Sequence, residues 1–86
     1  MSAKKGNNPQ LWNELLEILD ERLQLGLLEH LKRVKSYHFE DNSLFIEAPN
    51  EQDYEYLNRE AVLQQLQTFA ADICKVEKLI INKAEQ

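Results

Sequence analysis

The stretch FEDNSLFIEAPN, which begins at Phe39, limits what this chain can fold into more than any other. Its centre, Asp41-Asn42, separates two runs of alternating apolar residues, and both residue types tolerate the positive φ of a two-residue hairpin turn. Such a turn places Phe39 opposite Leu44, and the apolar side chains of both strands then share one face. Pro49 stops the second strand, because proline cannot donate to a β-ladder. The sequence therefore predicts a β-hairpin with one apolar face.

Two segments before the hairpin have the apolar periodicity of helices that could cover this face. Five leucines recur at three- and four-residue steps from Leu11 to Leu23. Asn8 followed by Pro9 is a typical helix start, since proline suits the first helical turn. A shorter stripe runs from Leu25 to Val34. Within it, Gly26 costs about 1 kcal/mol relative to alanine in a helix, which favours a break around this residue over one long helix.

After the hairpin, a helical segment and a third strand are predicted. Apolar residues step at helical spacing from Tyr54 to Ile73, and Asn58 is a candidate cap for a second half of this segment. Residues Val76 to Ile81 are rich in β-branched types, which favours a strand. A right-handed crossover joins parallel strands, and the simplest closed arrangement places this strand beside the first. The prediction is an α+β two-layer domain in the order α-α-β-β-α-β, with helices packed on a three-stranded sheet.

At 86 residues the chain is long enough for one small domain. Residues 1–10 contain nothing with which to build a core and are predicted to be a disordered arm. Residues 11–82 form the domain, and residues 83–86 are a tail. The hairpin register also pairs Tyr37 with Ile46. The predicted core combines the helical stripes with the apolar face of the hairpin: Leu15, Leu19, Phe39, Leu44, Ile46 and Leu66.

Composition and charge narrow the function classes. No apolar run approaches the roughly 20 residues of a membrane span, and no apolar stretch follows the N-terminal lysines as in a signal peptide. The single cysteine, Cys74, excludes an internal disulfide and favours a reducing, cytoplasmic location. The net charge of −5 argues against a general nucleic-acid binder, whose surface is usually basic.

Few residues offer catalytic chemistry. The two glycines, Gly6 and Gly26, do not form a phosphate-binding loop. Neither His30 nor His38 has further ligands at the spacing of a zinc site. Cys74 is interpreted as a small core residue rather than a nucleophile. The sequence therefore predicts an interaction module with no catalytic residues, no metal and no cofactor.

Three short motifs carry a resemblance to a known family: Leu11-Trp12 in the first helix, Asp41-Asn42-Ser43-Leu44 at the hairpin turn, and Ala48-Pro49-Asn50 after the second strand. In these motifs and their spacing, the chain is similar to the N-terminal domain of the bacterial replication initiator DnaA over roughly residues 11–81. The resemblance implies a K-homology-like fold. It also implies a protein–protein interaction module that self-associates and recruits the replicative helicase and regulators.

The resemblance also suggests where partners would bind. A self-association face is expected at the start of the first helix, formed by Leu11, Trp12, Leu15 and Leu16. The alternative for Trp12 is that its side chain packs in the core of the same domain, since aromatic side chains bury a large area. A second contact region is expected after the hairpin, at Asn50, Gln52 and Tyr56.

The chain departs from the family pattern at two places. The family usually carries an aromatic residue and a tryptophan in the second helix, where this chain has Leu28 and Leu31. It also carries an aromatic residue shortly after Ala-Pro-Asn for helicase contact, where this chain has Gln52. The last change puts helicase recruitment by that same contact in question.

Two other functions remain open. Phe39–Asn42 and Asn58-Arg59…Leu63 are similar to the K-homology-like C-terminal region of the DNA polymerase III tau/gamma subunit, which would make polymerase subunits the partners. A small nucleic-acid-binding adaptor would use a patch of Lys32, Arg33 and Lys35. The Gly-x-x-Gly loop with which K-homology domains clamp nucleic acid is absent, so weak or no nucleic-acid binding is expected.

Overall fold

The computed structural model describes residues 6–83, and within them four helices and three strands follow one another. In chain order these are α1 (Pro9–Glu21), α2 (Leu25–Lys32), β1 (Ser36–Glu40), β2 (Ser43–Ala48), α3 (Glu51–Leu57), α4 (Glu60–Cys74) and β3 (Lys78–Lys83). The predicted α+β class with a three-stranded mixed sheet is confirmed. The helical segment after the hairpin is divided into two helices, so the order is α-α-β-β-α-α-β.

The hairpin forms with the predicted register. Phe39 lies opposite Leu44 and Tyr37 opposite Ile46. At the turn, Asp41 has φ 50° and Asn42 has φ 62°, the left-handed values that a two-residue turn requires. Leu44 and Ile46 are buried, as the predicted register demands.

The strand order differs from the prediction, which placed the last strand beside the first. β3 instead pairs in parallel with β2, and β2 is the central strand of the order β1-β2-β3. Leu44 lies opposite Leu79, and Ile46 lies opposite Ile81. The crossover through α3 and α4 therefore returns directly to the neighbour of the strand it left, which is the usual arrangement of a β-α-β unit. β2 can occupy the centre because Leu44, Ile46 and Ala48 give it a fully apolar inner face.

The first helix begins where the sequence predicts. The side chain of Asn8 accepts a hydrogen bond from Leu11 N at 3.2 Å, and Pro9 occupies the first turn. A break between α1 and α2 is also present, but Gly26 is not the residue that makes it. The chain turns at Leu23, which has φ 59°, whereas Gly26 lies inside α2 without a positive φ.

Two predicted boundaries shift after the hairpin. Asn58 does not cap the second helix but ends the first, and its Nδ2 donates to Tyr54 O at 3.0 Å. Arg59 instead precedes α4 in extended conformation. The last strand begins two residues later than predicted, since Val76 is buried in the loop before β3. Asn42 O accepts from Glu77 N and Lys78 N, which fixes the start of β3 beside the hairpin turn.

The buried side chains form one core between the helices and the inner face of the sheet. Five of the six predicted core residues are fully buried: Leu15, Leu19, Leu44, Ile46 and Leu66. The sixth, Phe39, is only half-buried, because β1 is an edge strand. Its ring lies edge-on to Tyr37, with 5.6 Å between the ring centroids.

The predicted arm and tail are described only in part, since residues 1–5 and 84–86 lie outside the described range. Within the arm, Asn7 is bonded to the sheet: its side chain donates to Phe39 O at 2.7 Å and accepts from Phe39 N at 2.9 Å. These two bonds satisfy backbone groups at the edge of β1. Lys83, assigned to the tail, belongs to β3. The domain thus extends beyond residues 11–82 at both ends.

Replacing Gly26 with alanine should stabilise the domain by about 0.5–1 kcal/mol, because Gly26 adopts helical backbone in α2 and alanine has the higher helix propensity. A Cβ at this position would lie 3.4 Å from the Tyr56 hydroxyl oxygen, which is ordinary contact distance. Urea unfolding followed by circular dichroism measures the change. A loss of stability in Gly26→Ala would contradict this description of the α1–α2 break.

Candidate protein-interaction site

The candidate site is built around Asp53, the one charged side chain that is buried within residues 6–83. It is only 4 % exposed. Asn50 positions it: Pro49 ends the strand segment, and the Asn50 side chain accepts from Asp53 N at 2.8 Å as the N-cap of α3. The carboxylate of Asp53 therefore lies in the first turn of α3.

Arg33, which follows α2 directly, holds the Asp53 carboxylate at two points. Its Nη2 donates to Oδ1 at 3.1 Å and its Nε donates to Oδ2 at 3.4 Å. The hydrogen bond to Asp53 raises the pKa of Arg33 above its usual value. The guanidinium is half exposed, so solvent weakens the pair. The two contacts link the residue after α2 to the first turn of α3.

His30 and Tyr56 stack beside this ion pair. Their ring centroids are 3.7 Å apart and their planes differ by 9°. His30 Nδ1 lies 2.8 Å from Gly26 O, and because a carbonyl can only accept, this contact is a hydrogen bond in the tautomer with a proton on Nδ1. His30 Nε2 then faces Asp53 Oδ1 at 3.5 Å. On the tyrosine side, the Arg59 Cζ atom lies 5.5 Å from the centre of the Tyr56 ring.

We call these five residues the α2–α3 cluster: His30, Arg33, Asp53, Tyr56 and Arg59. Tyrosine and arginine are the residue types that most often dominate protein–protein binding energy. Stacking orders His30 and Tyr56, and hydrogen bonds join Arg33 to Asp53, so these side chains have less conformational freedom to lose on binding. The cluster is therefore suited to contact with a protein partner.

The structure separates the residues predicted for the self-association face. Trp12 is 5 % exposed and stacks on Tyr37, with ring centroids 4.3 Å apart, and Leu15 is fully buried. Both side chains belong to the core and cannot form a surface in this monomer, which favours the core interpretation of Trp12. Leu11 and Leu16 are half-buried and remain partly accessible on α1.

The residues predicted after the hairpin have three different roles. The side chain of Asn50 is used as the cap of α3. Gln52 is exposed and lies one helical turn before Tyr56 on the same helix. Tyr56 is a member of the α2–α3 cluster.

Sequence reasoning missed His30 and Asp53 as members of a site. It named Arg33 only for the alternative nucleic-acid patch and Arg59 only for the tau/gamma resemblance. Two spacings contained a signal: His30 and Arg33 are three residues apart on one helical segment, as are Asp53 and Tyr56 on the next. Each pair therefore shares a helix face. The sequence did not reveal that these two faces meet, because that depends on how α2 and α3 pack.

The two leucines of α2 that the resemblance singled out, Leu28 and Leu31, belong to the core. Both side chains are buried. They fill the interior of the domain and offer no contact surface.

Other features of the described residues offer little chemistry. No group of three or more His, Cys, Asp or Glu side chains within residues 6–83 could hold a metal ion. A groove of about 530 Å³ between α1 and α4 is lined half by apolar and half by polar or charged side chains: Ile18, Phe69, Ala71, Thr68, Arg22 and Asp72. Burial, assisted by the negative charge of Glu14, raises the pKa of Cys74 to about 11.

Comparison of the chain with protein-family models, with curated proteins and with solved structures finds no match. Within residues 6–83, no helix combines the length and apolar character needed to cross a membrane. The class that the structure defines is a small α+β domain with a three-stranded mixed sheet.

Trp12→Ala should destabilise the monomer by about 3–5 kcal/mol, since it removes a buried aromatic side chain from the contact between α1 and β1. Urea unfolding measures the loss, and Leu16→Ala on the same helix is the control with a smaller expected effect. If Trp12→Ala kept the stability of the wild-type monomer and only abolished dimerisation in sedimentation, the core assignment would be wrong.

Cys74 should react slowly with iodoacetamide. Its raised pKa lowers the thiolate fraction at pH 8 on the order of 100-fold relative to a cysteine with a pKa of 9.0. Mass spectrometry of the native and urea-unfolded chain measures the two rates. The native rate should continue to rise with pH up to about 11. An inflection near pH 9 in the folded protein would refute the assignment.

Proposed function

We propose that this chain is a protein–protein interaction module and that the α2–α3 cluster is its principal docking surface. The observation that carries the proposal is the stack of His30 on Tyr56 beside the Arg33–Asp53 ion pair. Arg59 Cζ lies 5.5 Å from the centre of the Tyr56 ring. A partner would find aromatic and guanidinium groups already in position. We propose no catalytic activity for the domain.

We further propose that the partners belong to bacterial DNA replication, as in the N-terminal domain of DnaA. The support is the resemblance of the hairpin and Ala-Pro-Asn motifs together with an α+β fold that begins α-α-β-β. The motif residues have structural tasks here: Asp41 and Asn42 form the turn, and Asn50 caps α3. These motif residues therefore support a similar fold. The proposal for the contact surface is based on the α2–α3 cluster instead. Such a function would place the domain in the cytoplasm.

The tau/gamma-like function remains the second candidate, favoured by one observation. Asn58 ends α3, and Arg59 directly precedes α4 with its guanidinium over the Tyr56 ring. Of the Asn-Arg pair of that resemblance, Arg59 thus belongs to the proposed docking surface and Asn58 precedes it in the chain, so a polymerase subunit docked there would contact the pair.

Nucleic-acid binding by Lys32, Arg33 and Lys35 has less support. The guanidinium of Arg33 is held by Asp53, and Lys32 lies 3.8 Å from Glu29. These carboxylates oppose a phosphate backbone at the same place. Together with the net charge of −5, this leaves a protein partner as the better explanation of the surface.

Surface plasmon resonance on the 86-residue chain tests the proposal with three probes from the same organism: replicative helicase, the polymerase III α subunit and a DNA duplex at several salt concentrations. Binding to the helicase or to the α subunit is expected. Tyr56→Ala should weaken that binding by roughly 30-fold, the effect of losing an interface hot spot. Tyr56→Phe is the matched control, since it keeps the ring and its stacking on His30.

The helicase and the α subunit distinguish the two replication candidates from each other. Helicase binding that also falls in Gln52→Ala would place the contact where the DnaA family has its aromatic residue. Binding to neither protein, together with salt-dependent binding to DNA, would overturn the proposal in favour of the adaptor.

A further inference from the structure

The corner between α1 and α2 presents two leucines to solvent. Leu23 is 76 % exposed and Leu25 is 51 % exposed, which makes them the exposed large apolar side chains of the described domain. Leu23 also has a left-handed backbone, with φ 59°. Between residues 6 and 83, the other non-glycine residues with positive φ are Asp41 and Asn42 in the hairpin turn and Lys75 after α4. Among these, a leucine is the least expected, because its bulky side chain is disfavoured there.

The hydrogen bonds at the corner explain why the backbone takes this conformation. Leu23 N donates to Asp20 O at 3.1 Å and Gln24 N donates to Leu19 O at 2.8 Å. This is the pattern of a Schellman motif, whose left-handed position is usually filled by glycine. The fold therefore requires a left-handed residue at position 23 but does not require a leucine. The Leu23 side chain does not contribute to the core, so packing within the monomer does not compensate for the strain of its left-handed backbone.

The charge around the corner indicates what kind of partner would fit. From Leu11 to Glu29 the sequence contains five acidic residues and one basic residue, Arg22. Asp20 and Glu21, which directly precede the corner, are exposed. A second copy of this chain would bring two such acidic strips together, and like charges repel. A partner segment with an apolar centre and basic flanks would complement both the leucines and the carboxylates.

We propose that Leu23 and Leu25 form an apolar tip that docks into a partner protein through an apolar segment flanked by lysine or arginine. The inference rests on the proposed function in taking the partner to be a protein, and it adds a docking element outside the α2–α3 cluster. Insertion of the tip would remove both leucine side chains from water.

Methyl NMR on the 86-residue chain tests the partner chemistry. The probes are a synthetic helical peptide with a leucine stripe and flanking lysines, and its twin with glutamate in place of every lysine. The lysine peptide should shift the methyl signals of Leu23 and Leu25, and the glutamate twin should leave them in place. Shifts that avoid both leucines, or equal binding of the two peptides, would overturn the proposal.

The variant Leu23→Gly separates docking from folding. Glycine relieves the left-handed strain, so the melting temperature should rise while peptide binding falls by roughly tenfold or more. Lys75→Gly is the matched control, because Lys75 has φ 56° at the end of α4 and its strain is relieved in the same way. It should raise the melting temperature and leave binding unchanged.

Two results with these variants and probes would refute one of the two proposals, the apolar tip or the replication partners, while supporting the other. In the first outcome, Tyr56→Ala abolishes binding of the helicase or the α subunit, whereas Leu23→Gly and Leu25→Ser leave both peptide and protein binding intact. The proposal of the apolar tip is then wrong, and the α2–α3 docking surface is supported. If the lysine peptide binds through the leucines while neither replication protein binds, the tip stands and the replication partners are wrong.

Discussion

The position of β2 between two strands is the constraint on which the rest of this domain depends. Its inner face, Leu44, Ile46 and Ala48, is fully buried, while β1 and β3 pair along its two edges. The hairpin turn sets the register on one side, and the crossover through α3 and α4 sets it on the other. A shift of one residue in β2 would turn its apolar face to solvent and detach the helices from the sheet.

That arrangement determines where the functional surface lies. β2 ends at Ala48, Pro49 follows, and Asn50 caps α3, so the first turn of α3 directly follows the end of the central strand. Asp53 is thereby presented to Arg33 and His30 on the α2 side. The α1–α2 corner is positioned by a different structural element, the Schellman motif at Leu23. A rigid core thus supports two neighbouring features of different chemistry, one aromatic and charged, the other apolar.

Sequence patterns correctly predicted the features that depend on neighbouring residues in the chain. The register at Asp41-Asn42, the cap at Asn8 and most of the core followed from turn propensity, capping and periodicity. The strand order did not, because pairing of β3 with β2 rather than β1 depends on how the crossover packs. The α2–α3 cluster was missed for the same reason. The break between α1 and α2 was assigned to Gly26 because glycine has a low helix propensity. The residue that makes the break is Leu23, whose left-handed backbone is not expected of a leucine.

Hydrogen–deuterium exchange read by mass spectrometry tests most directly whether α2 and α3 form the docking surface. The chain is measured alone and with the purified helicase or polymerase α subunit of the same organism. Docking at this surface slows exchange in residues 51–59 and in α2 in one of the two complexes, while the β1–β2 hairpin exchanges as in the free chain. Unchanged exchange across α2 and α3 in both complexes, with protection appearing at residues 32–35 only when DNA is added, would contradict it.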